Sequence, residues 1–429
     1  MKTTNRFNYF FVIGYLLIFS YAGYSQTNYN SAYSHYGIGD LSNITDTRSF
    51  SMGGISYGLR GFYNINHKNP ASYTSFDSLS FVFEGGMFSN FITHKTTAFS
   101  EQASNAGLSY LTFGFPVTRW MSASFGVLPF STVGYNIYDK EVDPVFGNLN
   151  QIYSGDGGTV QYYVGTGFKI NKHLSLGINA WYLTGNLESS NMLNFADSSM
   201  ALNTRVTQNI LVGDINFTAG IQYNTIIGKD LRFNTGFTYG NGKEMSATRE
   251  LLVETLFGGI NNQNEYNKDT ILYEAPVDGK IKLPMVLGGG FVFEKPEKWL
   301  IGADIEYGFW KDYASFGIND SLKNSLKISV GTEITPNATS ISKYWQKIRY
   351  RAGFRYSQSY LELKNTNINE FGLSFGLGLP IKRLATTLNF GLEFGKRGTI
   401  ENNLIQDNFF RFRLGVSITE RWFVKRKYN

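Results

Sequence analysis

Gly54-Ile55-Ser56-Tyr57-Gly58 matches the Gly-x-Ser-x-Gly elbow of serine hydrolases. That elbow presents its serine on a strand-to-helix turn of an α/β sheet, and the surrounding sequence provides no such turn. The four histidines, His35, His67, His94 and His173, have no His-x-His or His-x-x-x-His spacing, so a zinc site has no ligand set. Loop or surface positions are expected for them; His67 alone lies where a pH-sensitive contact could matter. Gly288-Gly289-Gly290 lacks the following lysine of a phosphate-binding loop and lies inside a strand pattern. Neither an enzyme, a cofactor, a metal nor a nucleic-acid partner is expected.

Charges that fall on one face of regular blocks are more informative. Asp304, Glu306, Arg351, Arg355, Glu393, Arg411 and Arg413 all take the polar face of their segments, and Glu84 joins them near the start. They could bind the headgroup of a ligand inside a lumen. The favoured reading is that they pair with one another and with an internal plug, because isolated charges in a narrow lumen are costly. Arg411 and Arg413 are expected to pair across a closing seam with Glu84 or Glu393.

The elements that must carry these residues follow from composition. The 429 residues include 46 Gly, 28 Tyr and 36 Phe, and only 17% are charged, against about a quarter in ordinary soluble domains. After the first thirty residues no run is long and apolar enough for a membrane helix. Such a chain fits an all-β transmembrane antiparallel barrel, in which apolar residues alternate with polar ones. Export is expected from the N-terminus: Lys2 and Arg6 precede the apolar stretch 9–20, and Gly23 and Ser25 predict cleavage before Gln26. No cysteine is present to make a lipoprotein or a disulfide. The net charge of +6 is concentrated at the C-terminus, where Arg421, Lys425, Arg426 and Lys427 form a basic tail. That tail either contacts anionic headgroups or a periplasmic partner, or is a solvated end.

From Leu79 onward about fourteen blocks alternate over the length that a tilted membrane strand needs. Ile301, Ala303, Ile305, Tyr307 and Phe309 share one face, with Gly302, Asp304, Glu306 and Gly308 on the other. Starts are predicted near Leu79, Gly107, Met121, Thr159, Leu174, Asp214, Leu231, Met285, Trp299, Leu326, Tyr350, Ile368, Ala385 and Asn408. Tight connections at 171–172, 228–230 and 295–298 read as periplasmic turns. The stretches 139–158, 188–212 and 240–282 read as long extracellular loops, and Trp120, Trp299 and Trp310 as an interfacial girdle.

Two segments break the alternation. Residues 26–76 are dense in glycine, including Gly37, Gly39, Gly53 and Gly54. No helix is predicted there, and the segment ends at Asn69-Pro70-Ala71, a turn that stops what precedes it. They are expected to form a plug inside a barrel of residues 77–420. Pro129, followed by Phe130 and later Gly134, sits inside an apolar strand, where it cannot donate to the ladder. In lipid an unpaired backbone group costs several kcal/mol, so an inward kink from about Val127 to Gly134 is expected. Beside it a hole should lead from a pocket near Asn69-Pro70-Ala71.

Four places resemble the FadL-like outer-membrane transporters of long-chain fatty acids and hydrocarbons. Gly37-x-Gly39 through Ser51-Met52-Gly53-Gly54 to Asn69-Pro70-Ala71 is similar to that family's N-terminal hatch. Leu128-Pro129-Phe130 is similar to its kinked third strand, and Leu283-Pro284 to a later strand entry. Trp299, Ala303-Asp304-Ile305-Glu306-Tyr307 and Trp310 are similar to a turn, strand and closing Trp. The resemblance implies a plugged barrel in the outer membrane of a Gram-negative bacterium. Its partners would be outer-membrane lipid and a hydrophobic small-molecule ligand, which leaves sideways through the kinked wall. The alternative is a sealed structural or accessory subunit that docks onto other outer-membrane proteins.

Overall fold

The computed structural model describes residues 31–197, 201–257, 266–381 and 385–421. The signal peptide, the start of the plug up to Asn30, and the basic tail beyond Arg421 lie outside the described residues.

Alternation becomes a ring of fourteen antiparallel strands. They are β1 (Ser80–Lys95), β2 (Ser100–Pro116), β3 (Met121–Asp143), β4 (Gly147–Lys169), β5 (Leu174–Phe195), β6 (Asn203–Ile227) and β7 (Leu231–Gly240). After them come β8 (Val286–Lys295), β9 (Trp299–Gly308), β10 (Ser325–Ile334), β11 (Arg349–Leu363), β12 (Thr366–Pro380), β13 (Ala385–Gly398) and β14 (Gln406–Arg421). Each pairs with its neighbours, β7 with β8, and β14 closes on β1 without interruption from Arg421↔Ser80 to Gln406↔Lys95. Closure at this seam leaves no free strand edge there for lipid to meet.

Exposure is inverted relative to a soluble sandwich. On β9, Ile305 is 52% exposed while Asp304 beside it is 7% exposed. On β13, Phe394 faces out and Glu393 is buried. Apolar side chains on the outer face and buried polar ones on the inner face are what a bilayer around a filled lumen requires.

The three stretches read as long loops are instead paired. β3, β4, β5 and β6 run 22 to 25 residues, whereas β7 to β10 have 10 each. A further hairpin, Glu244–Phe257 with Tyr266–Lys282, pairs onto the upper half of β6. At about 3.4 Å per residue, the strands on one side of the barrel run roughly 40 Å further along their own axes than those on the other. Alternation fades there because both faces of the ribbon meet water, while backbone pairing continues.

Residues 31–76 are packed against inner-face side chains from almost every strand of the ring. A short helix, Thr47–Phe50, is started by Asp46, whose carboxylate accepts the N–H groups of Arg48 and Ser49. The sequence predicts no helix here, since four residues are too few to show a period. A 3-10 turn, Pro70–Ser75, follows Asn69, whose Oδ1 accepts the Ala71 N–H at 3.2 Å. Wall glycines mark where this segment lies against the barrel. A Cβ on Gly353 would collide with the Met52–Gly53 main chain, and Gly53 itself has φ +70°.

Candidate functional site

Pro129 sits where two adjacent ladders change. β2 and β3 pair from Pro116↔Ser122 up to Leu111↔Val127 and no further. On the other side β3 keeps its pairing with β4, but the register shifts between Pro129 and Ser131, leaving Phe130 as a bulge. Phe130 stacks on Trp181 with ring centroids 5.9 Å apart, and Leu128 is buried. The edge that β3 turns away from β2 is taken up by the inner segment. Asp40 and Leu41 pair with Thr132 and Ser131, and the Ser42 N–H donates to the Phe130 carbonyl at 2.9 Å. Gly134 completes the cap: its carbonyl accepts from the Ser31 N–H, and its own N–H donates to the Ser34 hydroxyl at 3.1 Å.

A cavity of about 320 Å³ lies beside this cap. Leu41, Phe130, Trp181 and Trp310 give it apolar walls; Lys68, Glu306, Lys327 and Arg355 give it charge. His67 and Lys68 reach it, whereas Asn69, Pro70 and Ala71 are turned to the wall, where Pro70 lies against Gly177. Trp310 is a correction to the expected girdle. It is buried and stacks on Tyr360 at 4.3 Å, because the chain turns inward after Gly308 in the 3-10 turn Trp310–Asp312. Trp120 and Trp299 do face outward.

The lumen charges hold the inner segment in place. Arg48 meets both oxygens of Glu333 at 3.0 and 3.1 Å, and Arg351 Nε reaches the same carboxylate at 2.6 Å. The Asp304 carboxylate accepts the N–H groups of Ser56 and Tyr57, the latter at 3.0 Å. Glu306 accepts from Lys68 at 2.8 Å and from the Tyr57 hydroxyl. Asp40 is held by Arg397 at 2.8 Å. Glu84 accepts from Asn64 at 2.8 Å and from the Ile65 N–H at 3.1 Å.

The expected seam pairs divide. Arg411 does reach Glu393, at 3.0 Å, and also Glu370 at 2.8 Å. Arg355 meets the same two carboxylates at 3.0 and 2.8 Å. Arg413 departs from expectation. It donates to the carbonyls of Thr45 and Asn43 at 2.7 and 2.9 Å and lies over the Phe50 ring at 4.3 Å. The inner segment's backbone, not a carboxylate, occupies the lumen at its height.

Residues 8–429 match the family model BamG. The chain belongs to the BamG family. No curated protein matches it by sequence. In fold, this BamG-family barrel is similar to the Pseudomonas putida toluene transporter TodX, at 15% identity and a TM-score of 0.56, over 90% of this chain and 100% of that one. It is also similar to a Pseudomonas aeruginosa FadL homologue, at 12% identity and 0.55, over 90% of this chain and 100% of that one. The Ralstonia pickettii toluene transporter TbuX gives 12% and 0.55, over 88% of this chain and 98% of that one. The BamG-family chain shares the FadL-like fold of these transporters.

The remaining candidates have plain positions in the BamG-family barrel. Ser56 lies in coil, its hydroxyl donating to the Gly54 carbonyl at 3.3 Å. Ser51 caps within its own turn, donating to the Thr47 carbonyl at 2.7 Å. Gly37 and Gly39 both take positive φ, and the Gly39 carbonyl accepts from the Tyr360 hydroxyl at 3.0 Å. His94 bonds Asp407 at 2.7 Å, His173 reaches the Asn224 carbonyl, and His35 packs on Tyr36 and Tyr135. Burial holds the His67 imidazole well below its ordinary value, at about 4. Among the described residues no group of side chains could hold a metal. Sequence reasoning missed Arg48, Glu333, Glu370 and Arg397, whose roles depend on which strands become neighbours.

Proposed function

We propose that this chain is a sealed barrel that serves as a structural subunit of a larger outer-membrane assembly. The observation that carries this reading is the cap at the kink. Residues 31–42 cap the edge that β3 turns away from β2, and buried ion pairs fix the segment behind them. A hatch tied by the Arg48–Glu333 ion pair and by hydrogen bonds to Glu84, Asp304 and Glu306 is expensive to displace, since breaking a buried ion pair alone costs about 3–5 kcal/mol. The tall extracellular ribbon supplies a surface for other outer-membrane proteins, with Val142, Val145, Phe146, Ile271 and Tyr273 exposed on it.

A second reading is favoured by the cavity. It touches Phe130 and Leu41 at the kink, so release of the 40–42 cap would open a sideways path for a hydrophobic, fatty-acid-like compound. Native mass spectrometry of gently extracted protein separates the two. Stoichiometric protein partners, together with unchanged uptake of a hydrophobic probe by Pro129→Val, support the subunit. A bound lipid-like molecule, no partner, and uptake slowed by Pro129→Val would overturn it in favour of transport.

A further inference from the structure

The short-turn end of the barrel, which faces the periplasm in proteins of this architecture, opens into a vestibule of about 940 Å³. Eight Lys and Arg side chains line it against four carboxylates. One of those carboxylates, Glu333, is already held by Arg48 and Arg351. The excess is cationic, and Arg232, Lys298, Lys347 and Arg349 come to it from three separate parts of the ring: β7, the 296–298 turn, and the 335–349 stretch.

Its floor is unlike the rest of the inner segment. Phe50, Tyr57 and Tyr73 are buried, but Phe62 and Tyr63 are 48% and 45% exposed and line the vestibule. The Arg232 guanidinium lies 5.9 Å from the Phe62 ring centroid. On the adjoining loop, whose Thr335, Ala338 and Lys347 also line the space, Ile341 is 95% exposed. Apolar side chains held open among an excess of cations match a ligand that brings both carboxylates and apolar groups.

We propose that this vestibule docks an acidic, aromatic-bearing polypeptide segment of a periplasmic partner. Carboxylates on the segment would meet the rim cations, and its aromatic or aliphatic side chains would cover Phe62 and Tyr63. A free phosphate uses only the charge and leaves the aromatic pair wet. The site stands whether or not the barrel passes a ligand, because it lies on the opposite side of the inner segment from the capped kink.

The test uses the whole mature barrel in nanodiscs of zwitterionic lipid and two fluorescent peptides of about ten residues, alternating Glu-Phe and alternating Lys-Phe. The Glu-Phe peptide should bind at least about tenfold tighter than the Lys-Phe peptide and weaken as salt rises. Reversing three rim charges, Arg232→Glu, Lys298→Glu and Lys347→Glu, should invert that preference, which an unfolded barrel could not do. Phe62→Ser with Tyr63→Ser should weaken binding several-fold while the salt dependence persists. Equal binding of both peptides would overturn the proposal. So would displacement by millimolar inorganic phosphate, or binding only when the nanodisc carries anionic lipid.

Discussion

Arg48 on the four-residue helix and Glu333 on β10 form a two-pronged ion pair, Nη2 to Oε1 at 3.0 Å and Nε to Oε2 at 3.1 Å. The fork matches the planar guanidinium to the planar carboxylate, and Arg351 closes the same carboxylate from β11. Glu333→Gln would leave two buried guanidiniums without their directly paired carboxylate, a loss of about 3–5 kcal/mol. The expected outcome is that residues 31–76 become open to protease while the barrel still resists SDS at room temperature. Retained protection would show that the ion pair does not hold the segment.

Gly353 gives a steric counterpart to that electrostatic lock. Its missing side chain is where the Met52–Gly53 main chain passes, so Gly353→Val should prevent seating of the inner segment with the ring intact. Small-solute conductance through the purified barrel should rise, and the same change at Gly289, where a Cβ has room, should not raise it.

Asp40 tests the cap itself. Asp40→Ala removes the carboxylate that Arg397 holds at 2.8 Å and loosens the two-residue bridge to β3. Uptake of a hydrophobic fluorescent probe into proteoliposomes should climb several-fold over wild type, since a partly exposed bridge of this kind is worth about 1 kcal/mol. An unchanged rate would mean that the wall is sealed elsewhere.

His67 predicts a pH dependence. Its imidazole is buried, with Nε2 3.4 Å from the Ile44 carbonyl and Nδ1 unpartnered. Asp46 favours its proton, while Lys68 and Arg413 oppose it. Because its folded pKa is depressed from 6.5 to about 4, the unfolded or unseated segment binds more protons between those values. Seating of the segment is therefore at full strength above about pH 6.5 and weakens as pH falls toward 4. Protease protection of residues 31–76 should drop over that window in wild type and less steeply in His67→Gln. Identical slopes would show that carboxylates alone set the response.

The barrel was legible because lipid imposes a pattern of period two, and all fourteen predicted starts fall within strands of the ring or at their entry. Thr159 and Asp214 were placed twelve and eleven residues into β4 and β6, since above the membrane neither face is forced to be apolar. Pro129 was visible as a proline within an apolar run. Its cap was not, because two residues, Asp40 and Leu41, carry no period. Arg355, Glu393 and Arg411 could be assigned to the inner face, but Glu370 becomes their partner only once β11 to β14 are set in register. Arg413 is assigned to the same face, but its partners are not legible without knowing that the Asn43 and Thr45 carbonyls lie across from it.

The central claim is that the inner segment stays in place while the protein works. Leu41 and Ser131 are opposite partners in the cap, at a non-hydrogen-bonded position of the kind whose Cα spacing suits a disulfide. The chain has no cysteine of its own, so Leu41→Cys with Ser131→Cys would introduce one removable lock. Cells relying on the oxidised variant should match wild type in outer-membrane integrity and retain the same co-purifying proteins. A variant that behaves like a deletion when oxidised, and recovers on reduction, would show that the hatch must move and would contradict the account.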